Sequence, residues 1–475
     1  MDLQLPRGIA VIDAGKTNTK IVLFGPDGRP VAERKAASLN HEGPPYRTID
    51  PAPLIELCRR ILPELDAILP IDVVVPSAHG AALACLAADG TLALPVMDYN
   101  SEPPPEIIAA YHKVQPLFEE VFCSLLPMAL THGLQLFWQQ QAFPEDFARA
   151  KMVVPWIQYV AFLLSGKMVT EISSMACQSH LLNIRDGGYS SLVKRMGWEP
   201  LFPPMAKAWE TVGTLRSEFL GQGFRGRGAV LAGVHDSNAN YLRYLADGQK
   251  KFTLLSSGTW IIGFDTETRL ENLIMEKDTV SNTDVFGNHV GSSRFFGGRE
   301  FELLSEGASG DIATLEAVQG IVAAATYALP SFCDGGGPVP YTGGRGRILG
   351  TPPKTPEQKA SLASLYCALM VAECLAALGS KHDIIVDGPF SKNLVFLQIL
   401  AQLRQGQKLL ASDLRDGTTA GAACLALMPD GILPHVPLSL TTIASQSLST
   451  LGPYQKAWRK LAYENTSKQE NVINA

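Results

Sequence analysis

The sequence predicts a mixed α/β protein that consists of two halves of comparable size. Three observations support this fold class. The chain of 475 residues is 46% hydrophobic and 18% charged, which is the composition of an ordinary globular protein with two or three domains. Strand-like and helix-like patterns alternate along the chain, and one strand–turn–strand arrangement occurs twice. We therefore expect a duplicated α/β unit.

The first half opens with a hairpin. Residues 8–12 and 21–24 are apolar runs, and residues 13–19 between them are small and polar. Apolar residues at helical spacing then predict a helix over 53–69, and the run 72–75 predicts a short buried strand.

The second half repeats this opening. Residues 252–255 and 260–264 are apolar, and the small polar residues 256–259 separate them. A helix over 361–378 and a buried strand over 384–386 are predicted further on. The repeated hairpin is the main argument for two related halves.

The charge and the cysteines exclude several classes of protein. The formal net charge is −6, whereas a protein that binds nucleic acid over a broad surface is usually basic. Residues 153–165 are the most apolar candidate for a membrane span, but they contain Gln158 and fall short of the roughly 20 residues that a spanning helix needs. The N-terminus has no signal-peptide pattern, and no two cysteines form a CxxC pair. We expect a reduced, cytoplasmic protein without disulfides or structural zinc.

Both polar turns are candidate phosphate sites. Residues 13–20 read Asp-Ala-Gly-Lys-Thr-Asn-Thr-Lys, and residues 256–259 read Ser-Ser-Gly-Thr. Backbone amides of a glycine turn, hydroxyl groups and a lysine suit phosphate oxygens, and a carboxylate at a strand end suits hydrated magnesium. A plain hairpin turn is the alternative for the first turn. The first turn is not a P-loop, because Ala10 stands where that motif has glycine and a strand follows.

Asp236 is the candidate general base. It follows the apolar run 229–232, which places it at the C-terminal end of a strand, where ligands of open α/β sheets bind. A carboxylate there could accept a proton from a sugar hydroxyl. The alternative is an N-cap for a helix over 238–245. We expect the neighbouring His235 to point elsewhere.

Two further segments have the chemistry of binding sites. The glycine turn in residues 387–393 would let a flat base approach the backbone, and Asn393 offers a donor and an acceptor. The alternative is a strand-to-helix loop capped by Asn393. His79, which precedes Gly80, could bind a polar substrate, although a single histidine is more often structural.

Together, these motifs resemble those of the FGGY carbohydrate kinases, a family of the actin-like ATPase superfamily. The resemblance extends from about residue 9 to residue 428. The matching segments are 13–18 (first phosphate motif), 256–260 (second phosphate motif), 233–236 (catalytic aspartate), 387–393 with 419–423 (adenosine motif) and 79–81 (sugar contact). Two segments depart from the family pattern: Asp387 stands where many members have glycine, and Trp260 where smaller residues are common.

The resemblance implies two ribonuclease-H-like domains around a central cleft. We expect an N-terminal domain of residues 1–247 for sugar and phosphate, a C-terminal domain of residues 248–460 for the nucleotide, and a tail over 461–475. The implied partners are ATP, Mg²⁺ and a small sugar, with no nucleic acid and no membrane. A homodimer is the assembly that we consider.

The implied activity is ATP-dependent phosphorylation of a sugar hydroxyl. Asp236 would be the general base, and Asp13 would hold Mg²⁺ through water. The sugar would contact His79, Gly80, Asp98 and Asp236. The residues implied for ATP and its phosphates are Gly15, Lys16, Thr17, Asn18, Lys20, Ser257, Gly258, Thr259, Gly388 and Asn393.

The identity of the sugar rests on local similarity. Residues 43–46 and 294–301 look most like rhamnulokinase-type and fuculokinase-type members, so we expect a ketohexose, with L-rhamnulose first. The alternatives are L-fuculose, xylulose or ribulose as substrate, and a non-catalytic sugar or nucleotide sensor on the same fold. An actin-like ATPase with a protein partner would explain the phosphate turns but not the segment at His79.

Overall fold

A computed structural model of the protein describes residues 5–38 and 40–464. Its helices are listed here in chain order: α1 Ala52–Ile68, α2 Pro105–Tyr111, α3 Phe118–Val121, α4 His132–Ala142, α5 Pro144–Arg149, α6 Trp156–Ser165, α7 Ile172–Ala176, α8 Ser191–Met196, α9 Asp236–Ala246, α10 Gly297–Ser305, α11 Leu315–Ala323, α12 Pro356–Ala377, α13 Leu394–Leu403, α14 Gly417–Ala426 and α15 Leu451–Glu464.

The strands, many of them short, are β1 Gly8–Ala14, β2 Asn18–Phe24, β3 Pro30–Ala37, β4 Asn40–His41, β5 Thr48–Ile49, β6 Ile71–Ala78, β7 Leu83–Leu86, β8 Val96–Met97, β9 Met152–Pro155, β10 Thr170–Glu171, β11 Met205–Ala206, β12 Thr211–Thr214, β13 Ala229–Leu231, β14 Val234–His235, β15 Phe252–Ser257, β16 Ile261–Asp265, β17 Thr279–Thr283, β18 His289–Phe295, β19 Tyr327–Leu329, β20 Arg347–Leu349, β21 Asp383–Asp387, β22 Leu409–Ser412 and β23 Leu440–Thr442.

The chain forms two compact units, and each contains one seven-stranded sheet. Unit 1 comprises Met1–Gln249, Asn282–His289 and Asp416–Pro437, and unit 2 comprises Lys250–Ser281, Val290–Arg415 and Leu438–Ala475. The predicted domain boundary between residues 247 and 248 stays a prediction. Residues Asp416–Pro437 belong to unit 1, whereas the predicted division places them in the C-terminal domain. They belong to unit 1 because α14 packs on α9, β1 and β6.

The two main sheets share one strand order. In unit 1, the antiparallel meander β3-β2-β1 is followed by β6 and β13, which run parallel to β1, and then by the antiparallel β12. In unit 2, β18-β16-β15, β21, β22 and β23 repeat this arrangement. The hairpins predicted at the start of each half are therefore confirmed, and the repeated order is the one expected of a duplicated unit.

Strand β1 is buried on both faces of the unit 1 sheet. Ala10 and Ile12 belong to a core cluster with α1 and α6, whereas Ile9 and Val11 belong to a cluster with α9 and α14. Side chains alternate along a strand, so one apolar run serves two cores. The predicted strand 72–75 is the centre of the longer strand β6, which lies next to β1.

Helix α12 is the core helix of unit 2. It begins at Pro356, earlier than predicted, because Thr355 and Gln358 form a capping box and proline is well suited to the first helical position. It is long and apolar enough to cross a membrane by length and composition, but 94% of its most apolar window is buried. Of the predicted tail, residues 461–464 belong to α15, and residues 465–475 lie outside the described part of the chain.

Candidate active site

Three strand ends in unit 1 bring the predicted chemistry together. Strand β1 ends directly after Asp13, β6 ends before His79, and β14 ends before Asp236. The strands are parallel and in register, since Ala14 pairs with Ala78 and Ala78 with His235. The carboxyl ends of parallel strands lie at one edge of a sheet, which is where α/β proteins bind ligands. The sequence predicts Asp13, His79 and Asp236 as separate candidates, and the sheet brings them close to one another.

Asp236 is the first residue of α9 and not its N-cap. The cap position is His235, whose side chain makes no capping bond, so the helix starts two residues earlier than predicted. One carboxylate oxygen of Asp236 accepts hydrogen bonds from the Ser237 amide at 2.6 Å and the Ser237 hydroxyl at 3.2 Å. Burial raises the pKa of Asp236 to about 6, against the opposing effects of Ser237 and Lys20. A carboxylate with this pKa is suited to accept a proton near neutral pH.

His235 faces Asp236, contrary to the prediction that it points elsewhere. Its Nε2 lies 3.2 Å from Asp236 Oδ1. The ring packs against the backbone at Gly80, where a Cβ atom would come within 2.5 Å of Nε2, so only glycine permits this approach. Burial lowers the pKa of His235 to about 4, and the imidazole is therefore neutral at neutral pH.

The other residues predicted to bind sugar lie close by. The His79 ring packs edge-to-face on Tyr99, with ring centroids 5.4 Å apart, and burial together with the charge of Lys16 lowers its pKa to about 3. Asp98 is 1% exposed, and its Oδ1 accepts hydrogen bonds from Lys16 Nζ at 2.9 Å and from the Asn100 amide at 2.8 Å.

Sequence reasoning missed His132, the first residue of α4. It is fully buried near the backbone of Gly80 and near His235, and burial lowers its pKa to about 4. A single histidine at a helix start, more than 50 residues away in the sequence from His79, gives no pattern that could have indicated this placement.

The first predicted phosphate turn has a supported backbone. Ser38 donates from its hydroxyl to the Gly15 carbonyl at 2.7 Å and from its amide to the Thr17 carbonyl at 3.0 Å. The side chains of Thr17 and Asn18 are exposed at the tip of the turn. This arrangement leaves their polar groups accessible to a phosphate.

The two lysines of this turn are paired with carboxylates, and their role as phosphate contacts stays a prediction. Lys16 binds Asp98, and Lys20 Nζ lies 2.5 Å from Asp416 Oδ2 and 3.2 Å from Asp13 Oδ2. The physical reason is burial: a partly buried ammonium group needs an opposite charge. The sequence analysis did not identify Asp416. Its side chain caps α14 by accepting a hydrogen bond from the Thr419 amide, and aspartate before a helix is a recognised N-cap signal.

Asp13 fits the requirements of a magnesium site. It is 7% exposed, and burial and the nearby carboxylates of Asp236 and Asp416 raise its pKa to about 6 despite Lys20. The positive charge of Lys20 therefore does not offset the burial of the Asp13 carboxylate and the nearby negative charges. Among residues 5–38 and 40–464, no three histidine, cysteine or acidic side chains are grouped to hold a metal directly. Mg²⁺ commonly keeps several waters and takes one or two carboxylates plus substrate phosphates, so the arrangement fits a water-mediated site.

The second predicted phosphate turn connects β15 and β16 in unit 2. Gly258 and Thr259 are exposed, and the Thr259 carbonyl accepts amide bonds from Gly298 at 3.1 Å and Arg299 at 3.3 Å at the start of α10. The Ser257 hydroxyl, in contrast, has hydrogen-bond partners within unit 2. It donates to the Asp387 carbonyl and accepts from the Phe390 amide at 3.1 Å, so its role is to join two strand ends.

Gly388 allows this junction to form. Its φ is +80°, and a Cβ atom would lie 2.0 Å from the Ser257 carbonyl oxygen. Asn393 caps α13, as the alternative held: its Oδ1 accepts from the Phe396 amide at 3.0 Å and its Nδ2 donates to the Ser364 hydroxyl at 2.9 Å. The side chain is therefore largely committed to the fold. Trp260 stacks on Phe296 with ring centroids 4.1 Å apart.

A cavity of about 460 Å³ opens in unit 2 beside the Gly388 turn. This volume is within the range of small-molecule sites. Its lining combines aromatic, glycine and charged groups: Phe301, Ser309, Gly310, Asp311, Gly388, Pro389, Phe390, Lys392, Asn393, Leu414 and Arg415. The segment predicted for adenosine thus forms one wall of a real cavity.

Comparisons with known proteins agree with this architecture. Residues 112–242 match the N-terminal domain of the FGGY family of carbohydrate kinases, and residues 249–434 match the C-terminal domain of carbohydrate kinase FGGY. A carbohydrate kinase from Novosphingobium aromaticivorans is similar in structure, with a TM-score of 0.85 and 32% identity over 95% of this chain and 100% of that one. No protein with a curated description matches the sequence.

More distant structures show the same fold. A ligand-bound xylulose kinase from Lactobacillus acidophilus has a TM-score of 0.82 at 16% identity over 98% of both chains. A gluconate kinase from Lactobacillus acidophilus has a TM-score of 0.80 at 15% identity over 97% of this chain and 98% of that one. With these matches and the predicted motifs, the chain belongs to the FGGY family of carbohydrate kinases, enzymes that phosphorylate sugars with ATP on an actin-like ATPase fold.

Proposed function

We propose that this kinase phosphorylates a ketohexose, with L-rhamnulose as the first candidate, and that Asp236 is the general base. The observation that carries the assignment of the base is the environment of Asp236: a carboxylate of raised pKa, about 6, at the shared edge of three parallel strands and beside a neutral histidine. A general base works best when its pKa lies near the working pH.

The sugar would bind in unit 1 beside this base. His79, Gly80 and Asp98 are the proposed contacts, and the neutral rings of His79 and His235 can each donate or accept one hydrogen bond with a hydroxyl. As the sugar hydroxyl attacks the γ-phosphate, Asp236 accepts its proton. Phosphoryl transfer of this type depends mainly on positioning and on the neutralisation of charge.

Phosphate oxygens would meet the amides and side chains of the first turn. Gly15, Thr17 and Asn18 are the proposed contacts there, and Asp13 would hold Mg²⁺ through water. The metal would supply positive charge to the β- and γ-phosphates. Lys20 lies between Asp13 and Asp416, where a bound cation would compete with it for both carboxylates.

ATP would occupy unit 2 with its nucleoside in the cavity beside Gly388. Gly258 and Thr259 are the proposed phosphate contacts of the second turn, because they are exposed and their backbone is anchored on α10. In this proposal, the side chains of Ser257 and Asn393 hold the backbone of the ATP site in place. Their side-chain atoms are not proposed as direct contacts of ATP.

The sugar itself is proposed on sequence similarity alone. L-Fuculose, xylulose and ribulose are the alternatives. The xylulose and gluconate kinases that share the fold do so at 15–16% identity, which carries no information on the substrate of this chain. The homodimer and the cytoplasmic location are likewise proposals, and size-exclusion chromatography with light scattering would test the former.

The test is ADP release from the purified enzyme with ATP and magnesium across L-rhamnulose, L-fuculose, D-xylulose, L-ribulose, gluconate and glycerol. We expect a ketohexose to raise the rate furthest above the sugar-free background. A ketopentose as the best acceptor would overturn the ketohexose assignment and leave the kinase intact. A rate that no acceptor changes, with ATP still bound, would favour the sensor.

A further inference from the structure

Lys16 belongs by sequence to a phosphate turn, yet its ammonium group is bound elsewhere. Nζ lies 2.9 Å from Asp98 Oδ1 and 3.7 Å from the centre of the Tyr99 ring. Both contacts attract a cation, the first by charge and the second by the quadrupole of the ring. The pair is well shielded from water, since the side chain of Lys16 is 21% exposed and that of Asp98 is 1% exposed.

The second oxygen of Asp98 has no hydrogen-bond partner among the described residues, and neither does Arg47 Nε. These two atoms are 3.9 Å apart, which is too far for a hydrogen bond between them. One oxygen atom placed between them could donate to the carboxylate and accept from the guanidinium group. A hydroxyl has both capacities, whereas a carboxylate oxygen can only accept.

The position of these atoms is fixed by the backbone. The Asp98 amide donates to the Arg47 carbonyl at 2.8 Å, and Thr48 pairs with Met97 in the small sheet that contains β5 and β8. The site lies near the other proposed sugar contacts, since Tyr99 follows Asp98 in the chain and its ring packs on that of His79 with centroids 5.4 Å apart. Burial, together with the negative charges of Asp98 and Asp236, raises the pKa of Tyr99.

We infer that Lys16 is a positioning residue on the acceptor side, which holds Asp98 so that its second oxygen and Arg47 Nε together bind one hydroxyl of a neutral sugar or polyol. The inference rests on the proposed function and deepens it by naming the charge class of the acceptor. The local charges already balance, since Lys16 pairs with Asp98 and Arg47 pairs with Glu42 at 2.9 Å. An acidic sugar would place its carboxylate against Asp98.

The first experiment separates the two substrates kinetically. Lys16→Met should raise the KM for the best neutral acceptor by roughly 10- to 100-fold, the range for losing a charge-assisted bond, and leave the KM for ATP within about twofold. Lys16→Arg should restore most of the loss. Lys35→Met is the matched control, because Lys35 forms an exposed ion pair with Glu33 on β3. A raised KM for ATP with an unchanged KM for the acceptor would overturn the inference.

Lys16→Met also removes the cation of a buried carboxylate and therefore lowers stability. The double variant Lys16→Met/Asp98→Asn restores the charge balance, and it should keep the raised KM for the acceptor. A double variant with wild-type KM values would contradict the positioning role.

The second experiment removes the hydroxyl instead of the protein group. Deoxy analogues of the best acceptor should include one that binds at least about 10-fold more weakly to the wild type by calorimetry, and Asp98→Ala should lose nothing further with that analogue. Calorimetry keeps this test independent of turnover. Tighter binding of gluconate than of every neutral sugar and polyol, or no binding of any of them, would refute the inference.

Discussion

At the scale of the residue, Asp236 is subject to two opposing effects. A carboxylate at the start of a helix is stabilised in its charged form by the helix dipole, which lowers the pKa. Burial favours the neutral form and raises it. The raised value of about 6 shows that burial has the larger effect, even with Lys20 nearby. The fold thus turns an ordinary acidic residue into a group that titrates close to neutral pH.

Asp236→Asn keeps the size of the side chain and removes its basicity. We expect turnover to fall by roughly 10² or more, the lower end for lost general-base catalysis, while the Kd for ATP stays near that of the wild type. Single-turnover ADP formation and nucleotide binding would measure the two effects. Asp430→Asn, at an exposed turn, is the control. Near-normal turnover in a folded Asp236→Asn enzyme would refute the assignment of the base.

The pH dependence of activity should have an acid limb near pH 6. Asp13 and Asp236 both have pKa values raised to about 6, so both take up protons as the pH falls through that value. A protonated Asp236 cannot accept the hydroxyl proton, and a protonated Asp13 has no charge for a cation. We expect kcat/KM for the sugar to fall steeply between pH 7 and pH 5.

ATP also binds protons in this range, and a second variant separates its contribution. Lys20 lowers the pKa of both carboxylates, so Lys20→Met should move the acid limb to higher pH. Protonation of ATP is the same with either enzyme and would leave the limb where it is. A flat profile down to pH 5, or a limb that does not move, would contradict the roles of these carboxylates.

At the scale of the element, the packing of α14 against α9 supports the candidate active site. Asp416 caps α14 and binds Lys20, and α9 begins with Asp236. The two helices cross closely at Gly421, where a Cβ atom would lie 1.7 Å from the Ala239 carbonyl oxygen. Such a distance is possible only without a side chain, so this glycine sets the separation of the two helices.

Gly421→Ala should therefore destabilise the protein by about 1–3 kcal/mol, the usual cost of overpacking a core, and lower Tm. Gly320→Ala is the matched control, because Gly320 lies within α11 and a Cβ atom there would meet nothing within 4 Å. The control should gain up to about 1 kcal/mol from helix propensity. Equal Tm shifts for the two variants would show that the crossing tolerates a side chain.

At the scale of the whole molecule, the sequence predicted what depends on short segments. The hairpins at the start of each half, helix α1 and the strand-end positions of Asp13 and Asp236 are all encoded in runs of fewer than 20 residues. The ion pairs could not be predicted from the sequence, because Lys16 and Asp98 are 82 positions apart and Lys20 and Asp416 are 396 positions apart. Nothing local indicates such partners. Ser257 and Asn393 are predicted to contact ATP, and the tertiary contacts that their side chains make could not be read from the sequence either.

The membership of α14 in unit 1 bears on how the protein is made. A ribosome adds roughly 5–20 residues per second, so roughly 9–36 s separate the emergence of α9 from that of α14. During that interval the apolar face of β1 and α9 lacks its cover, and the later-made unit 2 is largely synthesised. Unit 1 therefore cannot complete its fold before most of unit 2 has been synthesised. The nascent protein presents an uncovered hydrophobic surface to chaperones until α14 has emerged.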